Sequence, residues 1–410
     1  MQLRTMIPTD VLEELDKNPI LCVEMHTTGE PTRIIYANYP HLHGTLLEQR
    51  AQARRDHDSI RKSILLEPRG HNDMYGAILC RSTELVDRGD AHMGVLFMTT
   101  EGYSTMCGHA TIALGRFLVD IHDKNTFPRR DELRYDPETQ TTKLLLHAPC
   151  GLLEVTVPTS PGGHKADASR NVSFLSVPSF APGLGVQIAV PADLRWPQLG
   201  SRTYVTGDIS YGGAFFVIIS ASELGFPGTK LDLAGLGHAT KQVKAAANAD
   251  GKVRELLQHP DHDDLGFLYS VMVAGNTETS SGVTCSEELG FCFFADQQFD
   301  RSPTGSGVSA RVALAYAKRE RSIGQPWTYH SIVSRAYGGE GAFVGTPVEE
   351  LSVLVPNTRG TFRKGVRVKI EGKAYYTGFH AFVQEAGDPI GQHGFDVRRL
   401  SLGNHNQISS

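Results

Sequence analysis

Met106-Cys107-Gly108-His109-Ala110-Thr111-Ile112-Ala113-Leu114-Gly115-Arg116-Phe117 and Asp300-Arg301-Ser302-Pro303-Thr304-Gly305-Ser306-Gly307-Val308-Ser309-Ala310-Arg311 are built alike. Each sets one small residue of reactive type before a glycine and then enters an apolar helix. Aligned on the helix start, Cys107 stands opposite Thr304. Ala110, Ile112, Ala113, Leu114, Phe117, Leu118 and Val119 cover nearly every face of the first helix, and Val308, Ala310, Val312, Ala313, Leu314, Ala315 and Tyr316 do the same for the second. A helix that is apolar all round is a buried helix. The two starts lie about half of the 410-residue chain apart. The pairing of a thiol with a hydroxyl points to an acid–base enzyme with two matched positions, only one of which carries a group that ionises near neutral pH.

Around these helices the chain reads as strands. Leu153, Val155 and Val157 alternate with Glu154 and Thr156, and Val366, Val368 and Ile370 alternate with Arg367 and Lys369. That period of two marks half-buried strands. The 42 glycines and 21 prolines, spread along the chain, predict many short strands joined by turns. Helices are expected at Ala110 to Ile121, Ala239 to Leu257 and Val308 to Arg319. A mainly β chain with two buried helices predicts an α+β fold of two similar lobes. Each lobe is a β-barrel-like sheet wrapped around one central helix, with the active residues in the cleft between them. The expected division is 1–205 for the first lobe, joined by the tail from about 385 to 410, and 206–384 for the second. Gln49 to Lys62, Asp123 to Lys143 and His259 to Asp264 are charged and poor in apolar residues, and read as surface insertions.

Composition narrows the partners. Charged residues make up 21% and hydrophobic residues 40%, an ordinary soluble composition with ample core. A net charge of −5 argues against nucleic acid or an anionic membrane as a partner. The longest apolar run, around Ala214 to Ile219, is too short to span a bilayer. Met1 to Pro8 shows no apolar signal core, so a cytoplasmic protein is expected. The six cysteines form no Cys-x-x-Cys pair and no zinc framework, and are too sparse for a disulfide scaffold. Cys22, Cys80, Cys150, Cys285 and Cys292 read as small buried hydrophobes.

Cys107 reads differently. Unpaired amides at a helix start and the positive end of the helix dipole both favour thiolate over thiol. A thiolate there can act as a base or a nucleophile. Pro303-Thr304-Gly305-Ser306-Gly307 is a tight turn into a helix, able to hold an anion on its amides. Two such helix starts facing one cleft would clamp a carboxylate. Asp300 adds a negative group beside them, which suits a zwitterion with its ammonium on Asp300.

These segments bring the chain to a family. It resembles the proline racemases, related in fold to diaminopimelate epimerase. The resemblance is carried by Glu24-Met25-His26-Thr27-Thr28-Gly29-Glu30-Pro31, Glu67-Pro68-Arg69-Gly70-His71-Asn72-Asp73-Met74, Met106-Cys107-Gly108-His109, Gly207-Asp208-Ile209-Ser210-Tyr211-Gly212-Gly213 and the run from Asp300 to Gly307. Thr304 departs from the racemase pattern, which has a second catalytic cysteine at that position. Threonine there marks the trans-3-hydroxy-L-proline dehydratase branch. The resemblance implies that Cys107 is the proton acceptor and that Gly108, His109, Asp300, Gly305 and Ser306 contact an imino acid substrate. It further implies a homodimer, with no metal and no organic cofactor required. Thr304 would then position the ring, the leaving hydroxyl or a water. Rival readings are a proline or 4-hydroxyproline epimerase, and an inactive protein that binds proline analogues.

Other features have plainer readings. His71 reads as a structural hydrogen-bonding residue. The His109 backbone, more than its ring, is expected at the substrate. The cluster from His259 to Asp264 reads as a solvated loop, and Gly338 to Gly345 as a turn.

Overall fold

The computed structural model describes residues 18–227, 231–276, 286–358, 360–385 and 387–400. The first sheet collects β1 (Ile20–Thr27), β2 (Glu30–Ala37), β3 (Tyr75–Cys80), β4 (Met93–Thr99), β5 (Gly102–Ser104), β6 (Arg134–Asp136), β7 (Thr141–Ala148), β8 (Gly151–Pro158) and β9 (Val172–Leu175). The second holds β10 (Phe180–Ala189), β11 (Tyr204–Tyr211), β12 (Phe215–Ile219), β13 (Leu268–Asn276), β14 (Glu287–Phe294), β15 (Gln298–Phe299), β16 (Trp327–His330), β17 (Phe343–Leu354) and β18 (Phe362–Gly372). The chain then returns to the first sheet as β19 (Tyr375–Phe382).

The two halves repeat one pattern of pairing. In the first, antiparallel β1·β2 is followed by parallel β2·β3, antiparallel β3·β4, parallel β4·β7 and antiparallel β7·β8. In the second, β11·β12, β12·β13, β13·β14, β14·β16 and β16·β17 run in the same sequence of directions. Strand β18 pairs with both β9 and β17 and so joins the sheets. This is the doubled α+β architecture that the matched helix starts predict.

Parallel neighbours need a crossover connection, usually helical. Between β2 and β3 the crossover is α1 (Leu46–Asp56) and α2 (Asp58–Leu65). Thr45 starts α1 with a capping box, its hydroxyl accepting from Glu48 N and Glu48 bonding back to Thr45. The Glu84 carboxylate of α3 (Glu84–Arg88) accepts from Leu46 N at 2.8 Å. Most of Gln49 to Lys62 is exposed or half-buried, as an insertion on the surface would be, but Gln49, Ala53 and Arg61 are buried and the segment belongs to the crossover. Leu46, Ala53, Ile64 and Leu65 form a second apolar core with Cys22, Ile35, Ile78 and Met98 on the first sheet. The segment hides this role because its other faces are charged.

Between β12 and β13 the counterpart is α5 (Leu233–Ala249) and α6 (Gly251–Leu256), with α4 (Gly108–Asp120) lying earlier in the chain. The single helix expected over Ala239 to Leu257 is broken at Asp250. That residue ends α5 and caps α6, its carboxylate accepting from Lys252 N at 2.9 Å.

The buried helices are α4 and α7 (Gly305–Ala317). Helix α4 lies against β1, β2, β8, β9 and β18, and α7 against β10, β11, β12, β17 and β18. Both begin a few residues earlier than their apolar runs suggest, so Gly108, His109, Gly305 and Ser306 form their first turns.

Strand pairing crosses the expected division at 205/206 and 384/385. Strand β10 lies before 205 but pairs with β11, and β19 lies before 384 but pairs with β1. Alternation shows that a segment is a strand; it carries no information about which neighbour the strand takes. Among the described residues no helix is long and apolar enough to cross a membrane.

Candidate active site

The starts of α4 and α7 meet backbone to backbone. A Cβ on Gly108 would stand 2.3 Å from Gly305 Cα, and one on Gly305 would stand 2.5 Å from Gly108 Cα. Only glycine fits on either side. Gly212, between β11 and β12, completes the junction: a Cβ there would lie 2.3 Å from the Ser306 carbonyl oxygen. Thr105 Oγ1 donates to Gly213 O at 2.8 Å, and Ser210 Oγ donates to Ala310 O at 2.8 Å. The run from Gly207 to Gly213 is therefore a cradle for both helix starts. A Gly108→Ala substitution is expected to cost about 1–3 kcal/mol through overpacking and to pry the two helix starts apart. A thermal melt together with turnover checks it.

Cys107 and Thr304 occupy the residue before each glycine, yet they behave differently. The Cys107 sulfur accepts from Ala110 N at 3.4 Å and so caps α4. Thr304 makes no side-chain cap. It adopts φ 62° and ψ 95°, an uncommon conformation for a β-branched residue. Its N–H donates to Ser302 Oγ at 3.1 Å, and its hydroxyl donates to Asp300 Oδ2 at 2.6 Å. Backbone strain of this kind persists where the surroundings over-determine it, and it clusters at functional sites.

Around the two lies a narrow cavity of about 10 Å³, lined by Tyr75, Cys107, His109, Tyr269, Cys292, Phe294, Asp300 and Thr304, with Met106, Gly108, Gly305 and Ser306. That is room for about one water molecule. Every predicted site residue is in this lining. Sequence reasoning missed Tyr75, Tyr269, Cys292 and Phe294. They sit in buried stretches of strand where nothing in the spacing separates a site wall from core. Of the five cysteines read as structural, Cys22, Cys80 and Cys150 are buried away from the cavity, and Cys285 lies outside the described residues. Cys292 is buried as expected, but its sulfur lies on the cavity wall, 2.9 Å from Ser270 Oγ.

The electrostatics differ from expectation at Cys107. Burial pushes its thiol well above the usual range, and the Ala110 amide and the Tyr75 hydroxyl only partly oppose this. Desolvation outweighs the helix start, so in this cavity Cys107 is a thiol. The His109 ring stands beside it, Nδ1 3.2 Å from the sulfur. Burial drives that imidazole down to about 3, against a weaker hydrogen bond with Pro31, so it is neutral. The expected backbone role of His109 is partly taken up elsewhere, because its carbonyl accepts from Thr27 Oγ1 at 3.0 Å.

Asp300 is buried, unlike an ordinary loop carboxylate. Burial raises it to about 6, although Thr304, Ser302 and the Arg301 charge all hold it down. Ser302 N donates to its Oδ1 at 2.8 Å. Beside it Glu30 is fully buried. Burial first, and the Asp300 charge second, raise Glu30 well above the carboxylate range. Each carboxyl therefore disfavours ionisation of the other.

First-half residues hold the Asp300 loop. Glu30 Oε2 accepts from Arg301 N at 2.8 Å. Asp73 pairs with the Arg301 guanidinium at 2.8 Å and accepts from Phe299 N at 3.3 Å. The motifs around Glu30 and Asp73 are thus braces for Asp300. His71 serves the same loop, its Nδ1 accepting from Asp73 N at 3.2 Å. His259 is likewise local, its ring accepting from Asp261 N and His262 N at 3.2 Å. The Gly338 to Gly345 stretch links α8 (Ile332–Ala336) to β17.

Doubled half-barrels meeting at paired helix starts, with a thiol on one side and a buried carboxylate on the other, define a racemase-type fold with an acid–base site. The model described as Proline racemase matches residues 22–396, and the chain belongs to the proline racemase family. It is 37% identical to human "Trans-3-hydroxy-L-proline dehydratase" over 91% of this chain and 93% of that protein. It is 39% identical to "Trans-L-3-hydroxyproline dehydratase" of Xenopus tropicalis, over 90% and 92% of the two chains. To the Burkholderia ambifaria protein named "Trans-3-hydroxy-L-proline dehydratase" it is 34% identical over 92% and 97%. The fold is that of a hydroxyproline epimerase from Agrobacterium vitis, solved with trans-4-hydroxy-L-proline, at TM-score 0.71 and 20% identity over 93% and 96% of the chains.

Proposed function

We propose that this chain is a hydro-lyase that dehydrates trans-3-hydroxy-L-proline. The observation that carries the reading is the asymmetry of the two helix starts: a thiol at Cys107, and at Thr304 a hydroxyl whose proton is committed to Asp300. Stereoinversion needs a base on one face of the α-carbon and an acid on the other. A threonine hydroxyl stays protonated near neutral pH and cannot serve as the second base. In trans-3-hydroxy-L-proline the α-hydrogen and the 3-hydroxyl share a face, so one group suffices.

Amides of Gly108, His109, Gly305 and Ser306 take the substrate carboxylate, and Asp300 takes the ammonium. The ammonium cancels the Asp300 charge that helps raise the Cys107 thiol, so binding favours the thiolate, the thiol proton passing to solvent as the substrate enters. The Cys107 thiolate removes the α-proton. The C–H electron pair forms the C2–C3 double bond as the C3–O bond breaks, and the sulfur-borne proton leaves with the hydroxyl as water. The enamine tautomerises to Δ1-pyrroline-2-carboxylate. Charge building on the carboxylate is held by the helix amides. Similarity to relatives named trans-3-hydroxy-L-proline dehydratase supports this reading. It extends to a cytoplasmic homodimer, the oligomeric part of which light scattering tests.

One observation favours epimerisation as a second reading. Cys292 lines the Thr304 wall as a protonated thiol, burial pushing it up to about 12. A substrate panel decides: imine trapping by o-aminobenzaldehyde reports dehydration, and optical rotation of proline or 4-hydroxyproline reports inversion. Dehydration of trans-3-hydroxy-L-proline without inversion of the others is expected; inversion as the main activity overturns the proposal. Thr304→Cys is expected to gain epimerase activity on proline or 4-hydroxyproline while dehydration falls. Absence of any epimerase activity means that a second thiol at this position is not sufficient for inversion.

A further inference from the structure

A second cavity, of about 720 Å³, adjoins the narrow one. Arg50 and Arg54 of α1 wall it from the first half, and Lys244, Asp264 and Tyr269 from the second. Tyr269 lines both cavities. Ser104, in the wall of the larger, is hydrogen-bonded to the Tyr75 hydroxyl, and Tyr75 is a wall of the smaller. One layer of side chains therefore separates the two.

The larger cavity is basic in a chain of net charge −5. Arg55 in the wall is paired with Asp56, but its other cations, Arg50, Arg54 and Lys244, form no ion pair among the described residues. Arg54 has no carboxylate within ion-pair distance among the described residues. Lys244 donates to the Tyr269 and Ala295 carbonyls at 2.8 and 3.4 Å, with no carboxylate bridged to it among the described residues. Arg50 gives one N–H to Tyr103 O at 2.7 Å, and its buried Nε has no partner. Of the two acids in the wall, Glu101 is already paired with Arg399, and Asp264 acts on Arg50 only across a distance, with no ion pair between them. Arg50 and Arg54 also stand four residues apart on one helix, a like-charge spacing that destabilises it. Local rules are broken this way where function demands it.

We propose that this chamber is an anion-capturing antechamber of the active site. Arg50, Arg54 and Lys244 take the carboxylate of an incoming imino acid before it passes Tyr269. The free space beyond Tyr269 is too small for a five-membered ring, so a held substrate waits here until that space widens. A concave basic wall raises the local concentration of anions and their rate of association.

The identity of the ligand rests on the dehydratase reading; the anion affinity does not. Calorimetric titration of the full chain with sodium sulfate and with pyrrole-2-carboxylate separates them. Both are expected to bind wild type, more weakly as salt rises. Arg54 is exposed, so Arg54→Glu leaves folding intact. It is expected to weaken both ligands about tenfold, to flatten the salt dependence and to lower kcat/KM about five- to tenfold through KM. Sulfate bound equally by wild type and Arg54→Glu, or by neither, overturns the antechamber. Sulfate binding that depends on Arg54, without any binding of pyrrole-2-carboxylate, upholds it and removes the imino acid reading instead.

Discussion

A Cys107→Ser enzyme is expected to lose about 10²- to 10⁴-fold in kcat, the span typical of removing a general acid–base group. The substitution is close to isosteric, and serine is a favoured helix cap, so the bond from Ala110 N and the fold survive. Its hydroxyl, however, cannot ionise in a buried site that already holds the thiol well above its usual range. KM should change far less than kcat, because the amides and Asp300 that hold the substrate are untouched. Steady-state kinetics with imine trapping, beside a melting curve, checks both halves of the expectation. Full dehydratase activity in Cys107→Ser would reassign the base, with His109 the nearest titratable neighbour.

The second large effect belongs to Asp300. Asp300→Asn keeps the size and leaves its one oxygen for Ser302 N, with the Thr304 hydroxyl turning to accept from the new amide, but it removes the charge that meets the substrate ammonium. Losing one partner of a buried charge pair costs about 2–5 kcal/mol, or roughly 30- to 4 × 10³-fold in kcat/KM at one decade per 1.4 kcal/mol. The pH profile identifies the group. Burial raises Asp300 to about 6, so the carboxylate is present above that pH and is lost as pH falls through it. In wild type kcat/KM should drop on the acid side near pH 6; in Asp300→Asn that limb should vanish. A limb that persists in the variant would move the assignment to Glu30, whose carboxyl is also raised and coupled to Asp300.

The doubled fold could be anticipated because two helices apolar on every face can only be buried, and their matched starts put them half a chain apart. Cys107, Thr304 and Asp300 were visible for the same reason: each sits at a break between a polar turn and an apolar run. Strand partners were not visible. Nothing in Phe180 to Ala189 says that it pairs forward with β11 instead of joining the strands before it. Cys292 illustrates a second limit. The second half of its strand reads Gly290-Phe291-Cys292-Phe293-Phe294, all buried, and alternation is silent where both faces are covered. The state of Cys107 was misjudged because a helix start is a local feature of sequence, whereas desolvation comes from Tyr75, Tyr269 and Phe294 on distant strands.

The contact between Gly108 and Gly305 has an evolutionary consequence. Because the halves touch through bare main chain, the residue preceding each glycine is no part of the joint. Position 304 can therefore change identity with the scaffold left as it is. Threonine and cysteine codons are connected through serine, which also supplies a hydroxyl for Asp300. A lineage could thus cross between inverting and eliminating chemistry in small steps, with the hydroxyl bond to Asp300 lost only at the last one.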